Sequence, residues 1–253
     1  MNQIIFGTHA VFEALSVRPQ DVYQVVVMED RQSKKLKNVI EIAKQKRCPI
    51  EIKNRRSFEK WISQRTKGDV GNLTHQGVAI ETRSKNYISL SELETLIQTK
   101  NKIFILVLDH LADPHNVGAL LRSAACCGVD VVCFPKQGAA QLSPTVYKVA
   151  AGGIEHLALC RVANIRYLLS LLNKWQVKCF GLDMKGDRSI YEVSVPAKVA
   201  MVIGSEEEGF NQNVAQSCDE IVRIPMSSAL ESLNASVAGS IGLFEFAHRQ
   251  ETS

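Results

Sequence analysis

The chain has no apolar run approaching the roughly 20 residues needed to cross a bilayer, which excludes a helical membrane span. Its first residues, Met1 to Thr8, have neither a basic region nor a long apolar stretch, so no secretory signal is expected. Its seven cysteines include no CxxC pair. That removes the usual frameworks for structural zinc or disulfides and predicts reduced thiols in a cytoplasmic protein, with no metal. No GxGxxG follows the apolar run Ile103–Leu108, which sets aside the dinucleotide fingerprint and the ordinary Rossmann-type methyltransferase. Gly204 to Gly209 has phosphate-loop spacing but lacks the Lys-Ser/Thr that must follow, and no GxSxG supplies a hydrolase nucleophile. There is no internal repeat and no low-complexity segment.

What remains is a globular composition, 45% hydrophobic and 22% charged over 253 residues, enough for one large or two modest domains. The net charge of +4 is unevenly spread. Residues 1–85 hold 16 basic and 9 acidic side chains, whereas residues 86–253 hold 14 and 17. Within 31–67 the count is 13 to 3, a concentration that favours a polyanionic partner over a merely solvated face.

Strand and helix signals alternate in the first segment. Gln24–Met28, Ile50–Ile52 and Gly77–Glu81 read as strands, Lys34–Lys46 and Phe58–Gln64 as helices, and 67–76 as a loop. These predict a small α/β domain over residues 1–82, a linker over 83–101 and a second domain over 102–253. The second opens with Ile103–Leu108, apolar at every position as in a parallel strand covered on both faces. Asp113 and Pro114 then cap a helix whose stripe is Val117, Leu120, Leu121, Ala124 and Ala125. Further strands at Val129–Phe134, Val177–Leu182, Ala200–Ile203 and Ile221–Ile224 alternate with helices, which implies a mainly parallel sheet. The last helix opens near Leu233. It carries a bulky stripe of Leu233, Val237, Ile241 and Phe244 and a second face of Ala235, Ala238, Gly239 and Gly242. Two helical glycines, each costing about 1 kcal/mol against alanine, predict close approach by another element, a ligand or a second subunit.

Three strand-end loops share one design, and open parallel sheets bind ligands outside the carboxyl ends of their strands. The first runs from Asp109 into a helix bearing Asn116 and Arg122. The second is Gly204-Ser205-Glu206-Glu207-Glu208-Gly209. The third is Pro225 to Ser236. Asp113–Ala119 with Leu121–Ala124, Val202–Gly209, and Ile224–Met226 with Ser232–Ala238 resemble, in order, the three motifs of the SpoU (TrmH-like) RNA 2′-O-ribose methyltransferases. Lys148-Val149-Ala150-Ala151-Gly152 also fits. Gly7-Thr8-His9-Ala10-Val11 and His75-Gln76-Gly77-Val78 resemble the subgroup with an extra RNA-binding domain, which includes enzymes of large-subunit rRNA.

The resemblance implies an α/β fold whose C-terminal domain is a trefoil knot of the SPOUT type with a mainly parallel sheet, joined to a small N-terminal α/β RNA-binding domain. It implies S-adenosyl-L-methionine as cofactor, a homodimer, and methylation of a guanosine ribose in 23S rRNA. By the same resemblance the catalytic candidates are Arg122, Asn116, Glu206, Asn234 and Ser236. Gly204, Ile224, Met226 and Leu233 would line the cofactor pocket. Arg122 would polarise the hydroxyl and orient a phosphate, Asn116 would position the ribose, and Glu206 would orient Arg122 or hold substrate. Singly, each has a plainer account, such as a surface helix residue for Arg122 or a cap for Asn234. Two rivals stay open: the same chemistry on tRNA or another rRNA site, and a non-catalytic RNA-binding factor of ribosome assembly. His110 and His115 are structural or substrate-adjacent candidates.

Overall fold

The computed structural model describes residues 2–31, 33–66, 75–138, 142–205, 209, 212–227 and 232–252. They form two compact units, Met1–Lys85 with Gln141–His156, and Asn86–Ala140 with Leu157–Ser253.

The first unit begins with strand β1 (Asn2–Phe6) and helix α1 (Thr8–Val17). It continues through β2 (Val22–Met28), α2 (Lys34–Gln45), β3 (Ile50–Lys53), α3 (Arg55–Thr66) and β4 (Val78–Arg83). Its sheet runs β1-β4-β2-β3, antiparallel except for the parallel β2–β3 pair. Alternation along the strands explains the packing. Ile4, Phe6, Val26, Met28 and Ala79 join Phe58, Trp61 and Ile62 of α3 in one apolar cluster. The intervening Ile5, Val25, Val27, Val78 and Ile80 are buried as well, so both faces are covered.

The second unit contains α4 (Leu90–Thr99), β5 (Ile103–Leu108), α5 (Pro114–Cys126) and β6 (Val131–Pro135). The chain then contributes α6 (Pro144–Ala150) to the first unit. It returns through β7 (Ala158–Val162), α7 (Ile165–Lys174), β8 (Lys178–Leu182), β9 (Arg188–Ser189), β10 (Lys198–Ile203), α8 (Gln212–Ala215), β11 (Glu220–Arg223) and α9 (Ala235–Thr252). The sheet order is β7-β6-β5-β10-β8-β11-β9, and every pair is parallel. One face of the sheet, with Ile103, Ile105, Val107 and Val202, packs on Leu93 and Ile97 of α4 and Leu168, Leu169 and Leu172 of α7. On the other, Phe246 of α9 stacks near Phe104 at 6.3 Å and meets Phe180 edge-on at 5.1 Å.

One expectation changes here. The stretch 83–101, read as a linker, carries α4, entered through a capping box in which Ser89 and Glu92 satisfy each other's backbone N–H groups. Its Leu93 and Ile97 are an i, i+4 pair, enough to bury one stripe of an otherwise polar helix. The last helix is packed closely on its small-residue face, as its two glycines predicted. The small face is the buried one: a Cβ on Gly239 would lie 2.5 Å from both Ile203 Cδ1 and Leu120 Cδ2. The glycines therefore serve close packing within one chain, and the bulky Val237 and Phe244 are 47% and 54% exposed.

Candidate active site

Four neighbouring strands deliver the site. In the order β5-β10-β8-β11 their ends are level, with Ile203 opposite both Leu108 and Leu182, and Val222 also opposite Leu182. The sheet reverses its winding at β5, whose neighbours are β6 on one side and β10 on the other. A ligand crevice belongs at such a switch point. There lies a cavity of about 660 Å³, lined by Asn116, Gly204, Ile224, Met226, Leu233 and Asn234 among others. That volume suits a nucleoside-sized molecule.

Asn116 reaches the cavity because Asp113 starts α5: its carboxylate accepts the His115 N–H at 2.9 Å, with Pro114 at the first helical position. Asn116 is nearly buried and its Oδ1 accepts from Asn234 Nδ2 at 3.0 Å. Asn234 Oδ1 in turn accepts from Ser236 N at 2.9 Å, Ser236 Oγ at 2.6 Å and Val237 N at 3.3 Å. One side chain thus caps α9 and fixes the Asn116 amide, although the two asparagines are 118 positions apart. Ser205 and Gly209 exchange backbone hydrogen bonds at 3.2 Å, closing the second loop beside the cavity.

Six of the nine sequence-predicted residues line this cavity, and Ser236 is tied to it through Asn234. Arg122 does not line it: it stands exposed on α5, six positions after Asn116, with no ion pair among the described residues. Glu206 lies outside the described residues. Leu182, Asp183, Met184 and Lys185 were missed. Asp183 Oδ1 accepts from Lys185 N at 2.8 Å, and its Oδ2 would lie 3.1 Å from a Cβ on Gly209. The signal was a fourth strand end followed by polar residues and Gly186, but it carries no motif. At the end of β5, buried Asp109 holds His110 Nδ1 at 2.7 Å, with His110 in the left-handed region at φ +54. Its ring lies against Gly138, where a Cβ would come within 2.7 Å of Cδ2. Neither histidine is part of the cavity lining. Among the described residues no cluster of His, Cys, Asp and Glu could hold a metal ion, and no helix is long and apolar enough to cross a membrane.

Comparison with known proteins follows the same division of the chain. Residues 103–244 match the model of the SpoU rRNA Methylase family, and residues 4–88 match that of the RNA 2′-O ribose methyltransferase substrate binding domain. The 23S rRNA (guanosine-2′-O-)-methyltransferase RlmB of Photorhabdus laumondii is 36% identical over 253 residues, all of both chains. The protein of that name from Escherichia coli K12 is 34% identical over 245 residues, 97% of this chain and 98% of the relative. Among solved structures, the SpoU methyltransferase AviRb from Streptomyces viridochromogenes, crystallised with AdoMet, superposes with a TM-score of 0.78 at 18% identity. The match covers 100% of this chain and 92% of that one. An RNA 2′-O ribose methyltransferase structure gives 0.76 at 21% identity, covering 100% and 90%. The fold is therefore the trefoil-knotted SPOUT class with its small N-terminal α/β unit, as the motifs implied. With both family models matched in order and relatives aligned from end to end, this chain belongs to the SpoU rRNA methylase family.

Proposed function

We propose that this protein transfers a methyl group from S-adenosyl-L-methionine to the ribose 2′-oxygen of a guanosine in 23S rRNA, in the cytoplasm. The observation that carries the reading is the cavity at the sheet's switch point, where Asn116 and Asn234 are hydrogen-bonded between Gly204, Ile224 and Leu233. The donor set fits the cofactor. Apolar walls from Ile224, Met226 and Leu233 suit its adenosyl part, and Gly204 lines the cavity with backbone alone. Bound there, S-adenosyl-L-methionine supplies an electrophilic methyl group.

The residues of the chain then have distinct tasks. A ribose hydroxyl is a poor nucleophile near neutral pH, and holding it in line with the methyl carbon it attacks is worth about 7 kcal/mol or more. Asn116, fixed by Asn234, positions the ribose, and Ser236 keeps Asn234 in place. Arginine stays protonated, so Arg122, which lies outside the cavity of its own chain, acts across the subunit interface of the homodimer, polarising the hydroxyl and orienting a neighbouring substrate phosphate that takes the proton as the methyl–sulfur bond breaks, with Glu206 directing it. We assign RNA capture to the basic unit built on residues 1–85 and methyl transfer to the unit with the parallel sheet. The active species in this reading is a homodimer. The exposed apolar stripe of Val237 and Phe244 supports it, because such a stripe on a helix calls for a covering surface.

The test is to incubate the purified protein with unmodified 23S rRNA and methyl-labelled cofactor, then locate the label. Ribose label at one guanosine is the expected result. Label on a base, on tRNA alone or nowhere overturns it. Arg122→Ala should lose about 100-fold in rate while cofactor affinity stays unchanged, as for a group acting mainly in the transition state.

A further inference from the structure

Three stretches that methyl transfer leaves without a task meet in the first unit: Gly7–Val11, His75–Val78 and Lys148–Gly152. Gly7 N donates to Val78 O at 3.1 Å, and Thr8 donates to Gln76 Oε1 from N at 2.9 Å and from Oγ1 at 3.1 Å. Gly7 has φ +96, and a Cβ there would lie 2.7 Å from Lys148 Nζ and 3.3 Å from Gln76 Oε1. The ammonium therefore rests on bare backbone beside the glutamine. Gly77 has φ +78 and a Cβ there would lie 2.7 Å from Arg31 Cγ, so a second basic side chain crosses a second bare backbone.

The side chains of His75, Gln76, Lys148 and Arg31 present donors here. Gly77 N donates to His75 Nδ1 at 3.1 Å, which puts the proton of the neutral ring on Nε2 and makes its outer edge a donor. Burial first, and then the cations Arg31, Arg55 and Lys148 against the opposing Glu59, hold the His75 pKa below its ordinary value. Gln76 has spent its carbonyl on Thr8 and keeps its amide N–H₂. The nearby carboxylates are engaged elsewhere, Glu59 with Arg55 at 2.9 Å and Glu13 with His156 at 2.9 Å. Lys148 and Arg31 have no carboxylate partner among the described residues. Two cations and two neutral donors among the described residues complement a group that is anionic and accepts only.

We propose that Arg31, His75, Gln76 and Lys148 form a notch that grips a phosphodiester of the substrate RNA. The inference rests on the methyltransferase reading only in taking that RNA as the ligand. A grip on phosphate positions the strand without reading its sequence. It is salt-sensitive: for a single strand, each phosphate left without its cation takes about 0.7 off the slope of log affinity against log salt, roughly a fourfold weaker affinity at 0.15 M when referred to 1 M.

The experiment measures binding of a 23S rRNA transcript to the full chain across a salt series, with methyl transfer and cofactor titration alongside. Lys148→Met and Arg31→Gln should each weaken RNA binding, and the double variant should lose about fourfold at 0.15 M salt and flatten the salt slope by about 0.7 in all, the share of one phosphate. KM for RNA should rise while kcat and cofactor affinity stay as in the parent. His75 gives a control for folding. His75→Asn keeps an acceptor for the Gly77 N–H but has no donor at the position of Nε2, so RNA affinity should fall by more than the small drop in thermal midpoint from losing the ring contact with Phe58 accounts for. His75→Gln keeps the outer donor and gives up the inner acceptor, so its RNA affinity should exceed that of His75→Asn. Parental affinity and salt slope in Lys148→Met and His75→Asn would overturn the notch, as would competition by polyglutamate equal to that by RNA. If the parent transfers no methyl group but binds RNA through these residues, the methyltransferase reading fails and the notch survives.

Discussion

Replacing Asn234 separates architecture from chemistry at the site. Its Oδ1 accepts from Ser236 N and Val237 N at the start of α9, and its Nδ2 donates to Asn116. Asn234→Ala removes both. Loss of the cap costs about 1 kcal/mol, and loss of a hydrogen bond between two ordered amides costs about 1 more. At roughly 2–4 °C per kcal/mol for a unit of this size, the thermal midpoint should fall by about 4–8 °C. Asn234→Asp keeps the capping oxygen and adds a negative charge at a helix N-terminus, which is favourable by about 0.3–1 kcal/mol. Its midpoint should match the parent or exceed it. The aspartate cannot donate to Asn116, however. Asn116 then either faces a carboxylate with its own oxygen or flips its amide, and both change what it presents to substrate. Its methyl-transfer rate should fall about tenfold or more, the equivalent of about 1.4 kcal/mol of misplaced transition-state interaction. Calorimetry gives the midpoints and labelled-cofactor assays the rates. An Asn234→Asp protein with parental activity would refute the argument that this amide positions Asn116. An Asn234→Ala protein with a parental midpoint would refute the capping role.

Gly239→Ala should destabilise by about 1–2 kcal/mol and weaken cofactor binding, because its Cβ overlaps Leu120 and Ile203 and Ile203 borders the cavity. Gly242→Ala meets the end of the flexible Met201 at 2.9 Å and Ile190 Cδ1 at 3.3 Å, and should be close to neutral in the same denaturant titrations, the gain in helix propensity offsetting the squeeze. Arg18 forms a buried two-point pair with Glu155, at 2.6 and 3.1 Å. Glu155→Gln should cost the first unit about 3–5 kcal/mol, and Arg18→Met with Glu155→Leu should recover much of it. Burial, against the attraction of Glu155, pushes Lys85 down to about 8. The unfolded chain then binds more protons than the folded one above pH 8, so stability should rise from pH 8 to 9, and Lys85→Met should flatten that rise in pH-stepped melts.

Much of this was legible before any coordinates. An all-apolar hexamer such as Ile103–Leu108 has no polar face to give to solvent, so its burial in a parallel sheet follows from composition alone. Asp113-Pro114 carries its own instruction to start a helix, which fixed where Asn116 would stand. The order of the three loops pointed to one pocket because parallel strands put all their carboxyl ends on one edge. Strand order lay beyond that reach, since β8 enters between β10 and β11 through pairings between stretches distant in the chain. So did the membership of Gln141–His156 in the first unit, which a buried Arg18–Glu155 pair 137 residues apart helps to hold. The last helix shows the limit most clearly. Its two glycines predicted close approach on the bare face, but only the packed neighbours Leu120, Ile203 and Met201 decided that the approach comes from within the chain. Local sequence states what a segment can bury. What it is buried against depends on the surface that meets it, and that surface is assembled from residues far away in the chain.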